Sequence, residues 1–319
     1  MRRASALLAV PLIAAAAFVA GCSSTPANPN ASVTASGKFG AAPKVTIPAQ
    51  AAGKSLYSKD VIQGKGTALT SSDSFVGNYQ AYDWSGKKHK LLMSTYTTHT
   101  PSLFPSKLLP GLSSALKGAK EGSRVVAVIP PKEGFGPQGN PQLGVKGGDT
   151  LVFVLDVMKA VSNTASASGQ HVSDGGGSLA KVTDPKSGQA PTITVPKSSP
   201  PNKLTVTPLI KGKGPKIGKG QAVIVQYTGS IWRTGKTFSS SWAQKTPFEY
   251  VSGSNPPQVI PGWDKGIQGQ TVGSRVMLTI PASDGYGKQG NPQAGIKGSD
   301  TLVFVVDVLG TVNPSASSS

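Results

Sequence analysis

Asp149-Thr150-Leu151-Val152-Phe153-Val154 returns 151 residues later, unchanged, as Asp300-Thr301-Leu302-Val303-Phe304-Val305. Upstream, Gly136-Pro137-Gln138-Gly139-Asn140-Pro141 matches Gly287-Lys288-Gln289-Gly290-Asn291-Pro292 at the same offset. Earlier still the offset is 148: Gly64-Lys65-Gly66 becomes Gly212-Lys213-Gly214, and Pro43-Lys44-Val45-Thr46-Ile47-Pro48 becomes Pro191-Thr192-Ile193-Thr194-Val195-Pro196. Two copies of one domain follow each other, each long enough to bury its own core rather than stack as a solenoid turn. A position that differs between the copies is therefore informative within this one chain.

Each repeat reads as strands. In the second copy, residues 203–209 alternate weakly, 221–227 alternate apolar and polar, and 275–280 and 302–309 are rich in Val, Leu and Phe. Pro261-Gly262-Trp263-Asp264-Lys265-Gly266-Ile267-Gln268-Gly269 is the best helical candidate, with Trp263 and Ile267 on one side to face a sheet. Its glycines weaken the helix intrinsically, so packing must hold it. The expected class is α+β, each domain a twisted antiparallel β-sheet wrapped around a short α-helix.

At the N-terminus, Arg2 and Arg3 precede an apolar run over 6–19 that closes on Ala20-Gly21-Cys22. A basic start, a short apolar segment and a small-residue site make a secretion signal, too short for a comfortable membrane-spanning helix. The surroundings of Cys22, the only cysteine, resemble a bacterial lipobox, which implies lipidation of that residue and a membrane-anchored, extracytoplasmic protein. With Cys22 acylated, no thiol remains for a disulfide. Net charge is +18, falling to +16 without Arg2 and Arg3. The lysines are scattered through turns, there is no basic aromatic groove, and the chain carries an export signal, so nucleic acid is not the expected partner. Anionic lipid or wall polymer suits the charge better.

The second copy contains no histidine and no cysteine; His89, His99 and His171 all precede it. A His-based triad, a Cys nucleophile and a zinc site of familiar ligands are thereby excluded from it, and no metal or cofactor is expected. No phosphate-binding loop or nucleophile elbow is present. What remains is aromatic: Tyr227, Phe238, Phe248, Tyr250, Trp263, Tyr286 and Phe304 fall within about 80 residues of a chain that is 6% aromatic. Such a set suggests a lined pocket as well as a core.

These residues sit in Val225-Gln226-Tyr227-Thr228-Gly229, Gly235-Lys236-Thr237-Phe238-Ser239-Ser240-Ser241, Pro247-Phe248-Glu249-Tyr250 and Gln258-Val259-Ile260-Pro261-Gly262-Trp263-Asp264-Lys265-Gly266, followed by Gly285-Tyr286-Gly287. In that order the segments resemble the FK506-binding-protein (FKBP-type) family of peptidyl-prolyl cis-trans isomerases. The resemblance implies a proline pocket with Trp263 as its floor and Tyr227, Phe238, Phe248, Val259, Ile260 and Phe304 as its sides. Tyr250 is implied among the substrate-binding residues, and Ile296 on a loop over the pocket. The Tyr286 hydroxyl and the Ile260 backbone N–H would meet substrate carbonyls. Proline-containing polypeptide segments are the implied substrates, and FK506-like macrolides the implied further ligands. Ser239 stands where the family usually has aspartate, so a hydroxyl replaces a charge.

Aligned on Pro110-Gly111, the first copy has Leu112 at the Trp263 position and Phe135 at the Tyr286 position, while Tyr79 and Phe153 match Tyr227 and Phe304. Leu91-Leu92-Met93 falls near Phe238, in an open register. The first copy reads as a degenerate domain used for holding, spacing or stability. The expected layout is a signal peptide over 1–21, a flexible tether over 22–42, the degenerate domain over 43–160, a flexible linker over 161–190, the isomerase domain over 191–310 and a disordered tail over 311–319. A non-catalytic binder of proline-containing or unfolded segments, and an envelope protein held by charge, are the competing functional readings.

Overall fold

The computed structural model describes residues 28–184 and 188–314. The first domain runs β1 (Thr34–Ser36), β2 (Lys44–Thr46), β3 (Tyr57–Ile62), β4 (Asp73–Ser85), β5 (Lys88–Ser94), α1 (Thr95–Thr98), β6 (Ser102–Phe104), α2 (Pro110–Leu116), β7 (Arg124–Ile129) and β8 (Thr150–Ser162). The second runs β9 (Gly169–His171), β10 (Lys181–Thr183), β11 (Thr192–Thr194), β12 (Thr205–Gly212), β13 (Ala222–Ile231), β14 (Thr237–Ser240), α3 (Ser241–Gln244), β15 (Phe248–Val251), α4 (Pro261–Ile267), β16 (Arg275–Ile280) and β17 (Leu302–Val312).

Both main sheets are antiparallel and share one order of five strands, to which the second adds β9 at its edge. It is β3-β7-β8-β4-β5 in the first domain, with β6 also on β4. In the second it is β9-β12-β16-β17-β13-β14, with β15 also on β13. The repeated DTLVFV motif lies at the start of β8 and β17, the central strand of each. Each sheet wraps one short helix, as the periodicity implied. The α4 glycines have a steric reason: a Cβ at Gly262 would lie 2.5 Å from Ile280 Cγ2, and one at Gly266 2.5 Å from Leu278 Cδ2. The helix can lie this close to β16 only without those side chains.

The tether and linker expectations are corrected where residues are described. From Asn28 on, the spacer is folded: β1 pairs with β2, and Val33 and Ile47 pack with Trp84, Val126 and Val154 on the outer face of the sheet. In the second domain β10 pairs with β11, and Ala180, Val182 and Ile193 cover Trp232, Met277 and Val305. Each hairpin is anchored on a buried pair in the sheet. Arg124 forks onto Asp156 at 2.6 and 2.7 Å and donates to the carbonyls of Gly37, Lys38 and Ala41. Arg275 forks onto Asp307 at 2.6 and 2.7 Å and also meets Asp184. With a helix on one face and a hairpin on the other, β7 and β16 are buried along their whole length, which explains their nearly unbroken apolar runs.

Other described residues of the linker are also committed. β8 extends to Ser162, β9 joins the edge of β12, and Ala167 N–H donates to Asp307. The two domains meet through the same face of each: Val76 with Ile224, Val161 with Val312, and Met158 with Leu309 are repeat-equivalent residues of one buried cluster. Gln226 Nε2 donates to the Asn163 carbonyl across it. Short composition-poor segments misled the sequence reading because their burial comes from Arg124, Arg275, Trp84 and Trp232, far away in the chain. At the C-terminus β17 runs through Val312, two residues into the expected tail. The signal run, Cys22 and residues 315–319 lie outside the described residues. No helix among those described is long and apolar enough to cross a membrane.

Candidate functional site

A cavity of about 450 Å³ opens between α4 and the concave face of the second sheet. Tyr227 from β13, Phe238 and Ser239 from β14, Phe248 from β15, Val259 and Ile260 before α4, Trp263 on α4, Tyr286 and Phe304 line it. Trp263 is 3% exposed and forms the floor. Around it the rings stand edge to face: Trp263–Phe304 at 4.9 Å, Tyr227–Trp263 at 5.2 Å, Phe238–Phe304 at 5.5 Å and Tyr227–Phe248 at 5.7 Å. These are the preferred aromatic geometries, and they leave a rigid apolar cup.

The polar groups are few. The Tyr227 and Ser239 hydroxyls share a 2.8 Å hydrogen bond. Ile260 is the N-cap of α4, and none of the described residues takes its backbone N–H, which leaves a donor at the cavity wall. Tyr286 is 37% exposed and brings its hydroxyl to the rim. Ser241, buried after β14, accepts from Tyr227 N–H at 2.8 Å and bonds the Gln226 side chain, so β14 and Tyr227 are held together from behind.

Two expected contacts are corrected. Tyr250 is 1% exposed and lies in the core against Trp263, ring centroids 6.2 Å apart. β15 alternates, so Phe248 and Tyr250 share a face, but Tyr250 is one step deeper and supports the floor. Burial, reinforced by the Asp264 carboxylate, raises its phenol pKa. Ile296 is 2% exposed and also belongs to the core; Asn291 and Ala294 of the same loop face the cavity instead.

In the first domain Tyr79, Leu112, Phe135 and Phe153 do converge in one cluster. The open register is settled by strand pairing: Ala81 faces Met93 as Gly229 faces Ser239, so Leu92 takes the Phe238 place and Met93 the Ser239 place. The Tyr79 hydroxyl donates toward Met93 Sδ at 3.8 Å where Tyr227 has a hydroxyl partner. Phe104, missed in the sequence, stacks on Phe75 at 4.6 Å and meets Tyr79 at 5.2 Å. Its only signal is its place on a three-residue strand.

A family model described as FKBP-type peptidyl-prolyl cis-trans isomerase matches residues 66–158 and again 214–309, together more than half of the chain. The chain belongs to this FKBP-type isomerase family. An FK506-binding protein of Streptomyces anulatus is 39% identical over 121 residues, covering 38% of this chain and 96% of that relative. A probable FK506-binding protein of Corynebacterium glutamicum is 34% identical over 123 residues, covering 38% and 98%. Among solved structures, that of the three FKBP domains of wheat FKBP73 covers 81% of this chain and 95% of that chain at 21% identity, with a TM-score of 0.32. The match begins after β3 in the first repeat and after β12 in the second, so it leaves out both outer hairpins as well as β3 and β12 of the main sheets. Among the described residues no group of three His, Cys, Asp or Glu converges to hold a metal ion.

Proposed function

We propose that the second domain carries the prolyl isomerase activity of this chain and serves the folding of exported polypeptides. The observation that carries the reading is the aromatic cup over Trp263 with the Ile260 N–H and Tyr286 hydroxyl at its edge. An X–Pro bond isomerises over a barrier of about 18–20 kcal/mol because amide resonance is lost at the twisted state. A dry cup receives the prolyl ring and favours the less polar twisted amide over the planar one. The Ile260 N–H and Tyr286 hydroxyl hold the flanking carbonyls. No acid, base or metal is required, and about 1.4 kcal/mol of preferential stabilisation gives tenfold in rate.

The chemistry fits a slow step: uncatalysed prolyl isomerisation takes about tens to hundreds of seconds and limits the folding of many chains. The basic start, apolar run and Cys22 support a lipid-anchored protein on the outer side of the membrane, and the first domain then serves to hold clients or to support the second. Membrane retention in about 0.5 M salt that depends on Cys22 supports anchoring by lipid; retention that salt abolishes points to charge. The catalytic claim is tested with the mature chain on X–Pro peptides in a protease-coupled assay. A rate above background at micromolar protein is expected, and none contradicts it. Binding without catalysis would favour the second reading, a proline-segment binder, which Ser239 in place of the family's carboxylate motivates.

A further inference from the structure

We infer that Gly229 positions the walls of the second domain's prolyl pocket, because its missing side chain is the space in which the Phe238 and Phe304 rings meet. This rests on the pocket reading given above. Gly229 lies on β13, opposite Ser239 on β14 and Phe304 on β17. A Cβ there would stand 2.6 Å from Phe304 Cε1 and 2.9 Å from both Phe304 Cδ1 and Phe238 Cζ. Its backbone is not in the left-handed region, unlike that of many glycines in this chain, so strand conformation alone would accept alanine. What excludes a methyl group is the pair of rings, and those rings are two walls of the cavity.

The first domain shows what the same fold does around that methyl. Ala81 occupies the Gly229 place, paired with Met93 and Phe153 in the same register. There the wall residue opposite is Leu92 rather than phenylalanine, and Phe153 is only partly buried, whereas Phe304 is 4% exposed. One ring is replaced by Leu92, and the other, Phe153, is less buried beside Ala81 than Phe304 is beside Gly229. Gly229 is thus a positioning residue: it touches no substrate and acts through Phe238 and Phe304.

The test uses the mature chain with Gly229→Ala, Phe238→Leu and both together, each measured for kcat/KM on X–Pro peptides and for thermal unfolding. The alanine pushes the two wall rings apart, and Gly229→Ala alone is expected to lower kcat/KM by about 10- to 100-fold as the cup loses its fit to the twisted amide. In the Phe238→Leu background, which reproduces the first domain's pair, the same alanine is expected to cost less than about threefold. A loss within twofold of the parent, or an equal loss in both backgrounds, overturns the proposal. If Gly229→Ala alone does not fold, the double variant decides: it supports the proposal by folding and matching Phe238→Leu, and refutes it by failing to fold or by losing a further tenfold. If the parent leaves X–Pro peptides uncatalysed, the isomerase reading falls by itself. The Phe238 and Phe304 ring signals of a phenylalanine-labelled chain then judge Gly229, shifting with the alanine if the rings are displaced and staying if they are not.

Discussion

The two domains share a sheet order, a helix position, an outer hairpin and a buried Arg–Asp fork, yet only in the second do Tyr227, Phe238, Phe248, Tyr286 and Phe304 surround a tryptophan on the helix. The difference is concentrated in a few matched pairs: Trp263 against Leu112, Tyr286 against Phe135, Ser239 against Met93, Phe238 against Leu92 and Gly229 against Ala81. The strand order, the hairpins and the forks are kept, as are Tyr79 and Phe153 at the Tyr227 and Phe304 places, while the other named positions around the cavity are changed. Scaffold and site are therefore separable in this fold, and the first domain is a control for the second within one molecule.

The shared scaffold should respond alike in both copies, and the largest effect is expected at the forks. Arg275→Ala leaves Asp307 buried without its partner, and Arg124→Ala does the same to Asp156. Losing one partner of a buried pair costs about 3–5 kcal/mol. Calorimetry should show both variants strongly destabilised; a loss confined to one domain would mean that the hairpins are not equivalent supports.

The domain interface breaks the symmetry in charge where Leu103 of β6 corresponds to Glu249 of β15. Burial raises the Glu249 carboxyl from its ordinary 4.5 to about 7, and the Leu103 backbone N–H beside it offsets this only in part. Its Oε1 is buried without a partner. A raised folded-state pKa means that the folded chain binds this proton more tightly than the unfolded one. The contribution is fully present below about pH 4.5 and is lost as pH rises through about 7, by at most about 3 kcal/mol. Glu249→Gln should remove that component from a stability profile between pH 4.5 and 8, and an unchanged profile would contradict the burial argument.

Helix contact offers a smaller test. Gly266 faces Leu278, and the first domain has Ala115 facing Ala127 at the matching places. Gly266→Ala overpacks by about 1–3 kcal/mol and Leu278→Ala empties a buried site at about 2–5 kcal/mol, but the two together should cost less than their sum. Additive losses in urea melts would argue against the swap. Smallest of all is Ser239→Ala: losing the hydrogen bond to Tyr227 removes about 1 kcal/mol of positioning, roughly fivefold in kcat/KM.

The repeats and the Pro-Gly-Trp helix were legible in the sequence because they rest on local pattern: six identical residues at a fixed offset, and Trp263 with Ile267 at helical spacing. The cavity was legible through the ordered family segments. Tyr250 and Ile296 were misplaced because depth along a strand or loop depends on what packs above, not on residue type. The hairpins at 34–46 and 181–194 were hidden because Thr-, Ser- and Ala-rich segments of three residues have no pattern of their own. Gly229 was in a quoted motif, but its meaning needs the distances to two rings and the presence of Ala81 in the other copy.

The central claim is that isomerisation belongs to the second cup alone. Rates of X–Pro isomerisation by the full chain, by its Trp263→Leu/Tyr286→Phe variant and by its Leu112→Ala/Phe135→Ala variant test it most directly. The first pair of changes, which gives the second domain the first domain's residues, should lower kcat/KM by about 100-fold or more, since each lost group removes about 1.4 kcal/mol or more. The second pair should leave it within about twofold on peptides. Equal activity in parent and Trp263→Leu/Tyr286→Phe, or loss through the first-domain pair with the fold intact, would contradict the account.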